Sequence, residues 1–93
     1  MRLTEEEIQA IKDSVHGCDP TARVYLFGSR TDHTRKGGDI DLLIISAKLT
    51  YDDKTQIRQK LMERLGEQKI DIIISADLEA PFIKMALNGG VLL

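Results

Sequence analysis

Three aspartates stand out by their company. Asp39 and Asp41 are separated by one isoleucine at the head of the run Asp-Ile-Asp-Leu-Leu-Ile-Ile, and Asp71 interrupts the run Ile-Asp-Ile-Ile-Ile. In an extended strand successive side chains point to opposite faces, so Asp39 and Asp41 share one face while Ile40 takes the other. Like charges set beside apolar neighbours are costly unless a cation lies between them or the pair reaches water. Carboxylate oxygens are hard ligands of the kind that Mg²⁺ or Mn²⁺ takes. A neighbouring strand that brought Asp71 alongside would complete a set of carboxylates able to hold two such ions, with Asp39 and Asp41 shared between them and Asp71 on one. One ion would acidify an attacking hydroxyl and the other would neutralise a triphosphate. An isolated Asp-x-Asp also reads as a solvated strand end. What favours chemistry is the joint pattern, with acids set into apolar strands and a Gly-Ser turn nearby.

That turn is Gly28-Ser29. It follows an apolar stretch and is expected to open a short helical turn, where backbone N–H groups and the Ser29 hydroxyl can bind phosphate. Gly28 lets a phosphate approach the backbone closely. Arg30 adjoins the turn and is the cation best placed to pair with phosphate oxygens. Arg35 and Lys36 read equally well as solvated surface charges. Neither Gly-x-x-x-x-Gly-Lys-Ser/Thr nor Gly-x-Gly-x-x-Gly occurs, so the common nucleotide-binding loops are excluded. Gly37-Gly38 give the loop reach into the next strand.

The elements that must carry these residues are clearly marked. Thr4 with Glu7 forms a capping box and Leu3 with Ile8 a hydrophobic staple, so a helix starts at about Glu5. Ile8, Ile11 and Val15 give it one apolar stripe, and Gly17 with Asp19-Pro20 stops it. Arg23 to Phe27 reads as a strand cut off by the turn. Asp39 to Ile45 is the strongest strand signal, apolar on both faces after its aspartates. A second helix runs from about Tyr51 to Leu65, with Thr50 and Asp53 as its capping box, Ile57, Leu61 and Leu65 on one face, and Gly66 as terminator. Ile70 to Ile74 is a third strand. A last helix takes Pro81 in its first turn and carries Phe82, Met85 and Leu87 before Asn88-Gly89-Gly90. Gly89 to Leu93 reads either as a small edge strand or as part of an interface. The order points to an α/β (α+β) fold: a small mixed β-sheet flanked by helices.

At 93 residues and 10.4 kDa, residues 1–93 are expected to form one domain, with any acceptor-binding domain on another chain. The net charge of −2 gives no general attraction to polyanions. A dedicated nucleic-acid binder is usually more basic, so nucleic acid is not an expected partner, although the balance leaves it open. No apolar run is long enough to span a membrane and the amino terminus is unlike a signal peptide, which points to the cytoplasm. Cys18 has no partner at metal-site spacing and reads as a small hydrophobe or surface thiol. His16 and His33 read as surface residues, and Tyr25 and Phe27 as core.

Leu26-Phe27-Gly28-Ser29, nine intervening residues, Asp39-Ile40-Asp41-Leu42 and then Lys69-Ile70-Asp71-Ile72 together resemble the signature of the DNA polymerase β-like nucleotidyltransferase superfamily. Within it the chain looks most like the minimal nucleotidyltransferases that serve as antitoxin partners of HEPN-domain proteins in toxin–antitoxin systems. The resemblance implies Mg²⁺-dependent transfer of a nucleotidyl group from ATP or another nucleoside triphosphate, AMP from ATP being the first expectation, with release of pyrophosphate. Carried over by position, Gly28 and Ser29 would bind the triphosphate, Asp39 and Asp41 would hold both metals, and Asp71 would hold the catalytic metal and help deprotonate the acceptor. In the antitoxin type the acceptor is a tyrosine hydroxyl of the HEPN partner. Two rival readings are a non-catalytic binding module that masks its partner, and a sugar-nucleotide transferase, for which the chain is short.

Overall fold

The computed structural model describes residues 3–27, 40–66, 69–81, 83–84 and 88–93. Among them the chain runs α1 (Glu5–His16), β1 (Arg23–Phe27), β2 (Ile40–Ile45), α2 (Tyr51–Leu65), β3 (Ile70–Ser75) and β4 (Val91–Leu92).

Both long helices start where their side chains satisfy the first backbone N–H groups. The Thr4 hydroxyl accepts from the Glu7 amide at 3.1 Å while the Thr4 amide donates to the Glu7 carboxylate at 2.9 Å. Thr50 and Asp53 repeat the exchange at the head of α2. Gly66 ends α2 at φ 80°, a left-handed conformation that side-chain-bearing residues rarely adopt. After β3, Pro81, Ile83 and Lys84 have helical backbone, and the Lys84 amide donates to the Ala80 carbonyl at 3.1 Å. Phe82, Met85 and Leu87 of the expected last helix lie outside the described residues.

The strands form one mixed sheet in the order β3-β2-β1-β4. β1 pairs antiparallel with β2 and with β4, whereas β2 and β3 run parallel, joined through α2. A parallel pair needs such a crossover connection, and α2 supplies it. β3 extends one residue beyond the expected Ile74, because Ser75 pairs with Ile45. The closing residues form the edge strand: Leu92 pairs with Tyr25, Val91 with Leu26, and the Leu93 amide donates to the Val24 carbonyl at 2.8 Å.

The sheet is covered on both faces, which is why β2 is apolar on both. On one face Ile40, Leu42 and Ile44 pack with Val24, Leu26, Ile70 and Ile72 beneath Ala10, Ile11 and Val15 of α1 and Ile57 and Leu61 of α2. On the other, Leu43 and Ile45 pack with Ile83, flanked by Tyr25, Phe27, Ile73 and Leu78. Leu42, Leu43 and Ile44 are wholly inaccessible to solvent. β2 is thus the central stiff element on which side chains at its end are held.

Candidate active site

Strand register brings two of the expected carboxylates together. Asp41, the second residue of β2, is the direct partner of Asp71, the second residue of β3. On its other side Asp41 faces Phe27, the last residue of β1 and the one that immediately precedes Gly28-Ser29 in the sequence. Register partners on neighbouring strands project from the same face, and adjacent strands lie about 4.8 Å apart. Phe27, Asp41 and Asp71 therefore form a row across one end of three strands. The row lies on the face of Leu43, Ile45 and Ile73, opposite the two long helices, because strand side chains alternate.

The local sequence explains how two acids are tolerated there. Ile40 and Ile70, one residue earlier, are buried on the helical face, as are Leu42 and Ile72, one residue later. These four anchors hold Asp41 and Asp71 in place on the other face. Asp41 is half-buried and Asp71 exposed, so both carboxylates can stay hydrated while lying side by side.

Asp39, Gly28, Ser29 and Arg30 lie outside the described residues, as do His33, Arg35, Lys36, Gly37 and Gly38. Among the described residues no group of three or more His, Cys, Asp or Glu side chains could hold a metal ion. The described pair nevertheless suits a hard divalent cation, since Mg²⁺ is commonly bound through one or two carboxylates together with substrate phosphates.

Two of the remaining sequence readings sharpen. Cys18 packs against the helical-side core as a partly buried hydrophobe. Tyr25 and Phe27 pack against the opposite core. His16, expected at the surface, is half-buried, and its Nε2 donates to the Ala22 carbonyl at 3.1 Å.

One polar cluster went unread in the sequence. Asp19 is 1% exposed, and its carboxylate accepts from the Thr21 amide at 3.0 Å, the Thr21 hydroxyl at 2.8 Å and the Ser46 hydroxyl at 2.5 Å. The Ser46 oxygen in turn accepts from the amides of Lys48 and Leu49 at 3.1 and 3.2 Å. The Ser46 hydroxyl, then the Thr21 hydroxyl and amide, hold the Asp19 carboxyl below its ordinary value of 3.8. This cluster ties the α1–β1 connection to the C-terminal end of β2, at the opposite end of the strand from Asp41. It is a structural clamp. The Asp-Pro-Thr sequence carries the signal for the Asx turn onto Thr21, but nothing local announces Ser46.

Three surface clefts among the described residues lie away from the paired carboxylates. One of about 190 Å³ lies between α1 and α2, lined by Asp13, Ser14, Lys60, Glu63 and Arg64. A second, of about 180 Å³, lies beside β4, and a third, of about 290 Å³, beside the head of α2. None contains Asp41 or Asp71. No helix among the described residues is long and apolar enough to cross a membrane.

Over residues 9–93 the sequence matches the family described as Polymerase beta, Nucleotidyltransferase, and the chain belongs to that family. No curated protein matches it. The mixed four-stranded sheet with its two helices is consistent with that domain, and membership makes this a transferase domain whose general substrate is a nucleoside triphosphate.

Proposed function

We propose that this nucleotidyltransferase-family chain transfers AMP from ATP to an acceptor hydroxyl, a tyrosine on a HEPN-type partner protein. The observation that supports the site most strongly is the register that sets Asp41 beside Asp71 on one side and beside the last residue before Gly28-Ser29 on the other. A triphosphate held by Gly28, Ser29 and Arg30 then has the carboxylate row next to it. The HEPN partner extends the resemblance carried by the Leu26–Ser29, Asp39–Leu42 and Lys69–Ile72 segments.

Asp39, Asp41 and Asp71 are the residues that would hold Mg²⁺, or Mn²⁺ in its place. When bound, such ions neutralise triphosphate charge and acidify the acceptor hydroxyl. The protein's own part is positional. β2, buried on both faces, fixes Asp41, and its register with β3 fixes Asp71 beside it. In the transfer step the acceptor oxygen bonds to the α-phosphorus as the bond from that phosphorus to the pyrophosphate oxygen breaks. Pyrophosphate leaves with the electron pair, and the acceptor proton passes toward the Asp71 carboxylate. Ser29 and Arg30 orient the departing phosphates.

The test is incubation with ATP labelled at the α-phosphate, Mg²⁺ and a HEPN-type partner. Label is expected on the partner, and is expected to be lost when Asp41→Asn is introduced or when the acceptor tyrosine is replaced by phenylalanine. Label that stays in ATP under conditions where ATP binds contradicts the proposal. Partner neutralisation that persists unchanged with Asp41→Asn would instead identify a masking module without chemistry.

A further inference from the structure

The face that carries the carboxylates also carries aromatic side chains. Strand alternation puts Tyr25 and Phe27 on the face of Asp41 and Asp71, and the pairing of Leu92 with Tyr25 puts Leu92 there too. Phe27 stands in the carboxylate row itself, and Leu92, Tyr25, Leu43 and Ile73 make the next row along the strands. Leu43 in the middle of that second row is wholly inaccessible, packed with Ile45 and Ile83. Tyr25 and Phe27 are only half-buried, and Leu92 is 58% exposed. β1 and β4 thus form a partly open shelf of two aromatic rings and a leucine, on the side of Asp41 away from Asp71.

The spacing of this shelf fits one part of the ligand already assigned to the face. Neighbouring strands lie about 4.8 Å apart and residues two apart on one strand about 6.7 Å, so Tyr25 lies diagonally about 8 Å from Asp41. That is the reach of a ribose from a phosphate at the carboxylate row to the base the sugar bears. Gly28-Ser29, proposed to hold the far end of the triphosphate, follow Phe27 directly in the sequence. Phosphates, sugar and base can therefore follow one line along β1. Aromatic rings are the flat apolar surface on which a nucleobase stacks, and stacking needs no particular pattern of hydrogen bonds.

We infer that Tyr25, with Phe27 and Leu92 beside it, is the surface on which the nucleobase of the triphosphate lies, and that it favours purines, whose larger rings bury more apolar area. The inference rests on the proposed triphosphate site and adds to it the residues that contact the base. A base on β1 leaves the β3 side of the carboxylate row, where Asp71 stands, to the acceptor hydroxyl.

The test compares Mg²⁺-ATP with Mg²⁺-tripolyphosphate, which has the phosphates without a base, by isothermal titration calorimetry. The unmodified protein is expected to bind ATP and GTP more tightly than CTP and UTP. Tyr25→Leu keeps an apolar side chain beside Leu43 and removes the ring, so it should weaken ATP binding roughly fivefold or more and leave tripolyphosphate binding unchanged. Amide shift differences between the ATP-bound and tripolyphosphate-bound unmodified protein are expected to centre on Tyr25 and Leu92, a readout independent of how the variant folds. Equal losses for both ligands in the variant, an unchanged ATP affinity, no preference for purines, or difference shifts centred away from β1 and β4 would each overturn the inference. A protein that binds neither ligand would overturn the triphosphate site as well, whereas ATP binding and label transfer that are indifferent to Tyr25 would overturn the inference alone.

Discussion

Replacing Asp71 by asparagine should move stability and activity in opposite directions. Asp71 and Asp41 are register partners on strands about 4.8 Å apart, and their side chains project from one face. Two unit charges about 5 Å apart repel by about 1 kcal/mol in a water-like dielectric and about 3 kcal/mol at an effective dielectric of 20. Asp71 is exposed, so the smaller figure governs. Asparagine keeps the shape and removes the charge, so the folded state should be unchanged or stabilised by up to about 1 kcal/mol at low salt, with the gain shrinking as salt screens the pair. The same change removes the carboxylate proposed to take the acceptor proton, a loss worth about 10²–10⁴-fold in transfer rate. Urea unfolding at low and high salt reads the first quantity, and α-phosphate label transfer the second. A destabilisation of more than about 1 kcal/mol would show that Asp71 is held by structural contacts, and retained transfer would remove it from the chemistry.

Other outcomes follow from the packing and the caps. Leu42→Ala empties a wholly buried position between Leu26 and Ile72 and should cost about 2–5 kcal/mol, a large share of what a domain of this size has, measured as a fall in the urea midpoint. Thr50→Ala removes the acceptor for the Asp53 amide and should cost about 1 kcal/mol, seen as a drop of several degrees in Tm. The depressed Asp19 carboxyl gives a pH dependence of definite sign. Its contribution is fully present above the unfolded-state value of 3.8 and is lost as pH falls through the lower folded value, so Ser46→Ala should flatten the acid limb of the stability profile.

Much of this fold was legible because its signals are local. Thr4 with Glu7 and Thr50 with Asp53 announce their helices within four residues, and the apolar runs after Asp41 and Asp71 announce strands buried on both faces. What the sequence leaves open is pairing at a distance. That Asp41 falls opposite Asp71, and not opposite Ile70 or Ile72, depends on the register set by α2 and by the packing beneath it. The Ser46 hydroxyl reaches Asp19 across 27 positions, a contact no periodicity encodes. The closing Gly-Gly-Val-Leu-Leu admits both an edge strand and an interface until the bond from Leu93 to Val24 makes it an edge.

The most direct test of the proposed site is to titrate Mn²⁺ with ATP into the isotope-labelled protein and follow paramagnetic broadening of the backbone amides. Broadening should appear first at Phe27, Asp41 and Asp71, the row at one end of β1, β2 and β3, and should shrink sharply in Asp41→Asn. Broadening centred instead on the α1–α2 cleft with Asp13 and Glu63, or unchanged in that variant, would contradict a catalytic centre built on these strands.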